Sequence, residues 1–309
     1  MLNRIPQLSP GVRLMLLSTL AYLGVNTCVK QLGHWPTHQL IFFRSVISLV
    51  ITMTYLWQAG VRPIFGHRPM VLALRGLAGI GALYFYFYTL QRIPMASAVT
   101  IQYLSPIFTA IGAYFILGER MKPQRWLYFL VSFCGVLLVK GIDVRLTTLD
   151  VMMGIAGALC SGLAYTFVRK ASGHEHAMVI ILYFPLLATP ITGSLCLWEW
   201  RMPVGQEWLW GIAMGLFTQM GQIWATSAIQ KEALNKVTYI NYLGIFYALV
   251  IGYFFYDEGY DLVSGCGMLL VIVGVVLNLL DQDKRRRLKV MVIKRQQNGP
   301  VVRHKPPAN

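Results

Sequence analysis

The chain has 309 residues, of which 56% are hydrophobic and 13% charged, against about 25% charged in an ordinary soluble protein. Twelve acidic and 27 basic residues are too few to cover the surface of a water-soluble domain of this length. Without a Gly-X-Y repeat, dense cysteines or a polar bias, the collagen-like, disulfide-scaffold and disordered classes are excluded as well, and a polytopic membrane protein remains.

Runs long and apolar enough to cross a bilayer follow one another through the chain. They cover roughly residues 12–30, 38–57, 69–89, 96–117, 126–140, 150–168, 177–198, 208–229, 236–256 and 262–280. The predicted fold is therefore all-α, with ten transmembrane helices. Short connections carry the breakers Trp35-Pro36, Arg62-Pro63, Ile93-Pro94, Lys122-Pro123 and Met202-Pro203, and none is long enough for a second soluble domain. The first run starts after Arg13 and ends without a small-x-small cleavage site, so it is expected to stay as a span. The five cysteines lie singly inside apolar runs and read as packing residues, with no zinc site or disulfide framework indicated.

Charge sets the expected direction. With the N-terminus inside, the outer connections hold only Lys30, Arg92, Lys140, Arg145 and Arg201, while eleven Lys and Arg fall on the inner side before the tail is counted. Both termini are then cytoplasmic by the positive-inside rule. The tail after Leu280 adds nine more, from Lys284 to Lys305. Such a cluster is drawn to anionic lipid headgroups, and no nucleic-acid partner is expected. Trp198, Trp200, Trp208 and Trp210 read as an interfacial belt.

A shift of 139 residues lays the first five spans on the last five without a gap. Thr27 falls on Thr166, Gly76-Leu77 on Gly215-Leu216, Tyr103-Leu104 on Tyr242-Leu243, Tyr114-Phe115 on Tyr253-Phe254, Glu119 on Glu258, and Gly135-Val136 on Gly274-Val275. Five is odd, so the second copy enters from the opposite side: two inverted five-helix repeats, able to rock about a site near the midplane. The expected organisation is a cytoplasmic N-terminus (1–11), a first repeat (12–140), a second (150–280) and the basic cytoplasmic tail (281–309).

Several stretches carry a family likeness. These are Phe43-Arg44-Ser45, Leu74-Arg75-Gly76-Leu77, the aromatic run Tyr84 to Tyr88, Ile93-Pro94-Met95-Ala96-Ser97-Ala98, Leu104-Ser105-Pro106-Ile107 and Leu117-Gly118-Glu119-Arg120. In this order they resemble the drug/metabolite transporter superfamily, EamA type, over nearly the whole chain from Gly11 to Leu280. The second half departs from the pattern, with Tyr242-Leu243-Gly244-Ile245 and Tyr256-Asp257-Glu258 in the matching places. The resemblance implies a ten-helix permease, and it leaves the cargo unnamed.

Two charges, both positive, stand inside spans: Arg44 and Arg75. A guanidinium in a bilayer is costly and faces a cavity or a partner. It suits a carboxylate or phosphate, or else it snorkels or caps helix ends to hold the fold. No Asp, Glu, Lys or His occupies the middle of a span. That disfavours proton-coupled export of cationic drugs, and it leaves a membrane enzyme without a catalytic constellation. No P-loop is present, and neither cofactor nor metal is expected. Glu119 and Glu258 fall at span ends, where capping or interfacial roles are expected. Uncharged polar and aromatic groups fill out the candidate set: Tyr84; Gln102 and Tyr103, beside a carbonyl that Pro106 frees; Gln219, Gln222 and Trp224; and Tyr239, Asn241 and Tyr242. They read as a cavity lining or as interhelical hydrogen bonds. The expected function is secondary transport of a small organic metabolite, anionic or zwitterionic, by alternating access. Flipping of an amphipathic lipid and a non-transporting scaffold role are the alternatives, and the sequence leaves room for a homodimer.

Overall fold

The computed structural model describes residues 9–118, 123–142, 145–172, 174–231, 243–274 and 276–277. These form α1 (Pro10–Gln31), α2 (Thr37–Gln58), α3 (Pro69–Arg92), α4 (Met95–Gln102), α5 (Ser105–Leu117), α6 (Pro123–Ile142), α7 (Thr148–Ala171), α8 (Ala177–Cys196), α9 (Glu207–Lys231), α10 (Leu243–Tyr256) and α11 (Leu262–Gly274). Among the described residues the only β pairing is an isolated bridge between Ser172 and Glu175. The first part of the predicted ninth span, residues 236–242, lies outside the described residues, as does the basic tail.

Local chemistry sets the boundaries. Pro10 and Pro69 occupy the first turns of α1 and α3, where the missing N–H costs nothing. Thr147 and Asp150 close a reciprocal capping box ahead of α7, which satisfies two otherwise orphaned N–H groups. Gly118 ends α5 at φ +67°, a left-handed cap that favours glycine.

The predicted fourth span is two helices rather than one. Pro106 has no N–H for the Gln102 carbonyl, and its ring crowds that oxygen. The backbone tightens instead: Leu104 N donates to Ile101 O at 3.0 Å and Ile107 N to Leu104 O at 3.0 Å, the shorter repeat of a 3₁₀ turn. The break therefore falls at Tyr103-Leu104.

The packing follows the 139-residue offset. It carries α1 onto α7, α2 onto α8, α3 onto α9, α5 onto α10 and α6 onto α11. Accordingly α3 packs along α7 as α9 packs along α1, and α2 meets α9 as α8 meets α3. Helices α2 and α8 lie against each other. So do α6 and α11, where Ser132 Oγ donates to the carbonyl of Val271, its own counterpart. Glycine permits that last approach: a Cβ on Gly135 would stand 2.6 Å from the Gly267 carbonyl oxygen. The halves run in opposite senses, because Arg145, just ahead of α7, donates to the Gly259 carbonyl at 2.7 Å, near the end where α1 finishes. The fold is thus all-α and membrane-integral, with ten spans as two inverted five-helix repeats that interlock.

Candidate substrate site

The two ends of the bundle are distinguished here by Lys30, where α1 finishes, and by Glu175, between α7 and α8. Arg44 is seven residues into α2, about 10 Å in from the Lys30 end at 1.5 Å per residue. Arg75 is six residues into α3, about 9 Å in from the Glu175 end. The two side chains approach the middle from opposite directions.

Arg44 is 6% exposed. Its Nε donates to Thr218 Oγ1 of α9 at 3.2 Å, and its guanidinium carbon lies 4.7 Å from the centre of the Phe184 ring on α8. One of its terminal nitrogens, Nη1, is buried without a hydrogen-bond partner among the described residues, and the same holds for Nε and Nη1 of Arg75. Tyr22 of α1 and Tyr165 of α7 complete the group. Tyr22 lies within electrostatic reach of both guanidiniums and of Tyr165, and Tyr165 within reach of Arg75. Tyr22 and Tyr165 are 38% and 60% exposed.

No carboxylate answers these charges among the described residues. Asp150, Glu175, Glu199, Glu207, Asp257, Glu258 and Asp261 all stand at helix ends or in connections. A buried charge without its counter-charge costs several kcal/mol.

Other predicted residues divide. Gln102 Nε2 donates to Ser161 Oγ on α7 at 2.7 Å, and Gln219 Nε2 to Thr52 Oγ1 on α2 at 3.1 Å. Both amides keep a buried Oε1 without a partner among the described residues. Gln222, half-buried, lies one turn beyond Thr218 on the same face of α9. Tyr103 is half-buried at the α4–α5 break, with its hydroxyl 2.6 Å from where a Cβ on Gly244 would sit. Trp224, also half-buried, is six residues past Thr218 and turned off that face. Tyr84 stands apart: nine residues past Arg75 it falls on the opposite face of α3, 39% exposed and edge-on to Phe85. The aromatic on the Arg75 face is Tyr86, whose hydroxyl donates to Asn26 Oδ1 at 3.0 Å. Tyr239, Asn241 and Tyr242 lie outside the described residues.

Sequence reasoning missed Tyr22, Phe184, Tyr86 and Thr52. A signal for Tyr22 was present: Tyr22 and Asn26, one turn apart on α1, map by the 139 offset onto Ser161 and Tyr165 of α7.

At the Lys30 end a set of polar contacts joins separate elements. Lys30 Nζ meets Glu258 Oε1 at 2.8 Å and the Ile93 carbonyl at 2.8 Å. Glu258 Oε2 accepts from Met95 N at 2.8 Å and from the Tyr260 hydroxyl at 2.6 Å. The Lys30 and Glu258 side chains are 13% and 9% exposed. One carboxylate thus joins α1, the start of α4 and the α10–α11 connection. Its repeat mate Glu119 lies outside the described residues. Nearby, Gln39 accepts from Arg201 N at 2.9 Å and donates to Arg201 O at 2.7 Å. His34 Nε2 lies 2.6 Å from Glu207 Oε1. At the other end Glu175 accepts from the backbone of His67 and of Arg68, each at 2.6 Å.

Comparison with known proteins agrees with this architecture. The model of the EamA-like transporter family matches twice, at residues 9–141 and 148–280. A pseudopaline exporter of Pseudomonas aeruginosa is 28% identical over 272 residues, covering 87% of this chain and 95% of its own. A riboflavin transporter of Vibrio cholerae is 27% identical over 222 residues, covering 70% and 74%. An S-adenosylmethionine uptake transporter of Rickettsia felis is 20% identical and covers 89% and 94%. A crystal structure at 18% identity superposes with a TM-score of 0.61 over 88% of this chain and 98% of its own, a likeness of fold.

Proposed function

The chain belongs to the EamA-like transporter family and is a metabolite transporter of the membrane, and we propose that it is a secondary carrier moving a small anionic or zwitterionic metabolite by alternating access. The observation that carries this reading is the pair of buried guanidiniums. Arg44 and Arg75 come from two helices and opposite ends, hold buried nitrogens without partners among the described residues, and face no described carboxylate. A carboxylate or phosphate matches that arrangement.

The inverted repeat supports the mechanism. Two halves that interlock through α3–α7 and α9–α1 form equivalent contacts on either side of the midplane, so one closure exchanges for its mirror. With both termini cytoplasmic, as the basic residues favour, the Lys30 end faces outward, and the Lys30–Glu258 contacts there support a closure on that side. A bacterial inner membrane fits the compact loops and the Pseudomonas relative. The nine basic residues after Leu280 favour attraction to anionic lipid.

The test is counterflow in proteoliposomes preloaded with amino acids, carboxylates and nucleoside derivatives, with wild type beside Arg75→Ala. Saturable counterflow of one acidic or zwitterionic class, lost in the variant, is the expected result. Well-folded protein that exchanges no soluble compound would refute the reading and leave lipid flipping or a scaffold role.

A further inference from the structure

We propose that the cargo is a small organic dianion with two separated carboxylates, one held by Arg44 and the other by Arg75. This rests on the carrier reading above and narrows its substrate class.

Charge balance comes first. A guanidinium does not lose its proton at neutral pH, so the cavity holds two positive charges with no described carboxylate beside them. A zwitterion with one carboxylate brings a new positive charge and leaves the balance where it was. A monoanion leaves one guanidinium unanswered in a low-dielectric site, where that omission is costly. A dianion cancels both.

The geometry then separates the two anionic groups. Arg44 is fixed from two sides, by Thr218 Oγ1 at 3.2 Å and by the Phe184 ring at 4.7 Å, and its buried Nη1 has no hydrogen-bond partner among the described residues. Arg75 has no such anchor on Nε or Nη1. The two side chains start from opposite ends of the bundle and repel each other, so one compact anion is less well matched than two groups on a short chain. A carboxylate bound at either guanidinium accepts charge-assisted hydrogen bonds of the stronger kind.

The experiment uses the full-length protein and a series matched in skeleton. Malonate, succinate, glutarate and adipate are compared with their half-amides and diamides, and glycerol phosphate represents the compact dianion. Each compound is scored by thermal shift of the purified protein and by inhibition of proteoliposome counterflow. For the best-fitting chain length, the diacid is expected to bind at least about tenfold tighter than its half-amide. Arg44→Gln and Arg75→Gln should each bring that ratio close to one, while Arg44→Lys and Arg75→Lys, which keep the charge, should preserve most of it. Equal binding of diacid and half-amide in wild type, no diacid binding at any length, or a ratio unmoved in both Gln variants would overturn the proposal. Tighter binding of glycerol phosphate than of any diacid would overturn the two-carboxylate geometry. Saturable counterflow of a monoanion or zwitterion alongside any of these results would sink the dianion and keep the carrier. Absence of all counterflow would sink both.

Discussion

Replacing Glu258 by Gln should open the Lys30 end. The carboxylate holds Lys30 Nζ, Met95 N and the Tyr260 hydroxyl at once, at 2.8, 2.8 and 2.6 Å. Breaking one side of a fully buried pair costs about 3–5 kcal/mol. Here the two side chains keep 13% and 9% exposure, Lys30 retains the Ile93 carbonyl at 2.8 Å, and the amide oxygen still accepts one bond. That brings the cost to about 2–3 kcal/mol. If the tie exists only in the closed state, the closed population falls by roughly 30- to 140-fold relative to the open one, at 1.4 kcal/mol per decade. Spin labels at the exposed positions Gln31 and Leu262 would report the change as a longer, broader distance distribution between α1 and α11. Adding Lys30→Gln should recover part of the closed population, because it removes the orphaned ammonium. An unchanged distance distribution, with only a lower melting temperature, would show that the tie is a static staple and refute the reasoning.

Other expectations follow from the same contacts. Gly162→Ala should lower stability by about 1–3 kcal/mol, since its new Cβ would meet Phe108 of α5, whose carbonyl carbon stands 2.7 Å away. Gly265→Ala, with nothing within 4 Å, should be neutral or slightly stabilising in the same melting assay. Gln39→Ala removes both bonds to Arg201 and should cost about 1–3 kcal/mol with counterflow intact, because it ties α2 to the α8–α9 connection away from the cavity. Exchange should outrun net efflux from the same vesicles: the empty carrier must reorient two uncompensated guanidiniums, and the loaded one has them neutralised. Equal rates would contradict that charge accounting.

Much of the fold is legible in the sequence because hydropathy and periodicity are local properties. Span ends agree with Pro36, Pro69, Pro94 and Pro123, and the 139-residue offset reappears as physical packing in the Ser132–Val271 contact. The break in the fourth span is half legible: Pro106 marks a freed carbonyl, but that the chain splits into two helices depends on how the turn at Tyr103 tightens. Arg44 and Arg75 are visible as charges in apolar runs. Phe184 is not, since an apolar aromatic inside such a run has nothing to mark it until its neighbours across the bundle are known, whereas Tyr22 could have been read from the 139-residue offset. Tyr84 belongs to an aromatic run in which only helical rotation tells one face from the other, and the rotation favours Tyr86. Lys30 and Glu258 are 228 residues apart, beyond any local pattern.

The most direct test of alternating access labels one cavity position from each side. With the five native cysteines replaced, Tyr22→Cys would be exposed to a membrane-impermeant thiol reagent in right-side-out and in inside-out vesicles. The account predicts labelling from both faces, with Glu258→Gln speeding it from the Lys30 side and slowing it from the other. Labelling from one face alone, in wild type and variant alike, would contradict it.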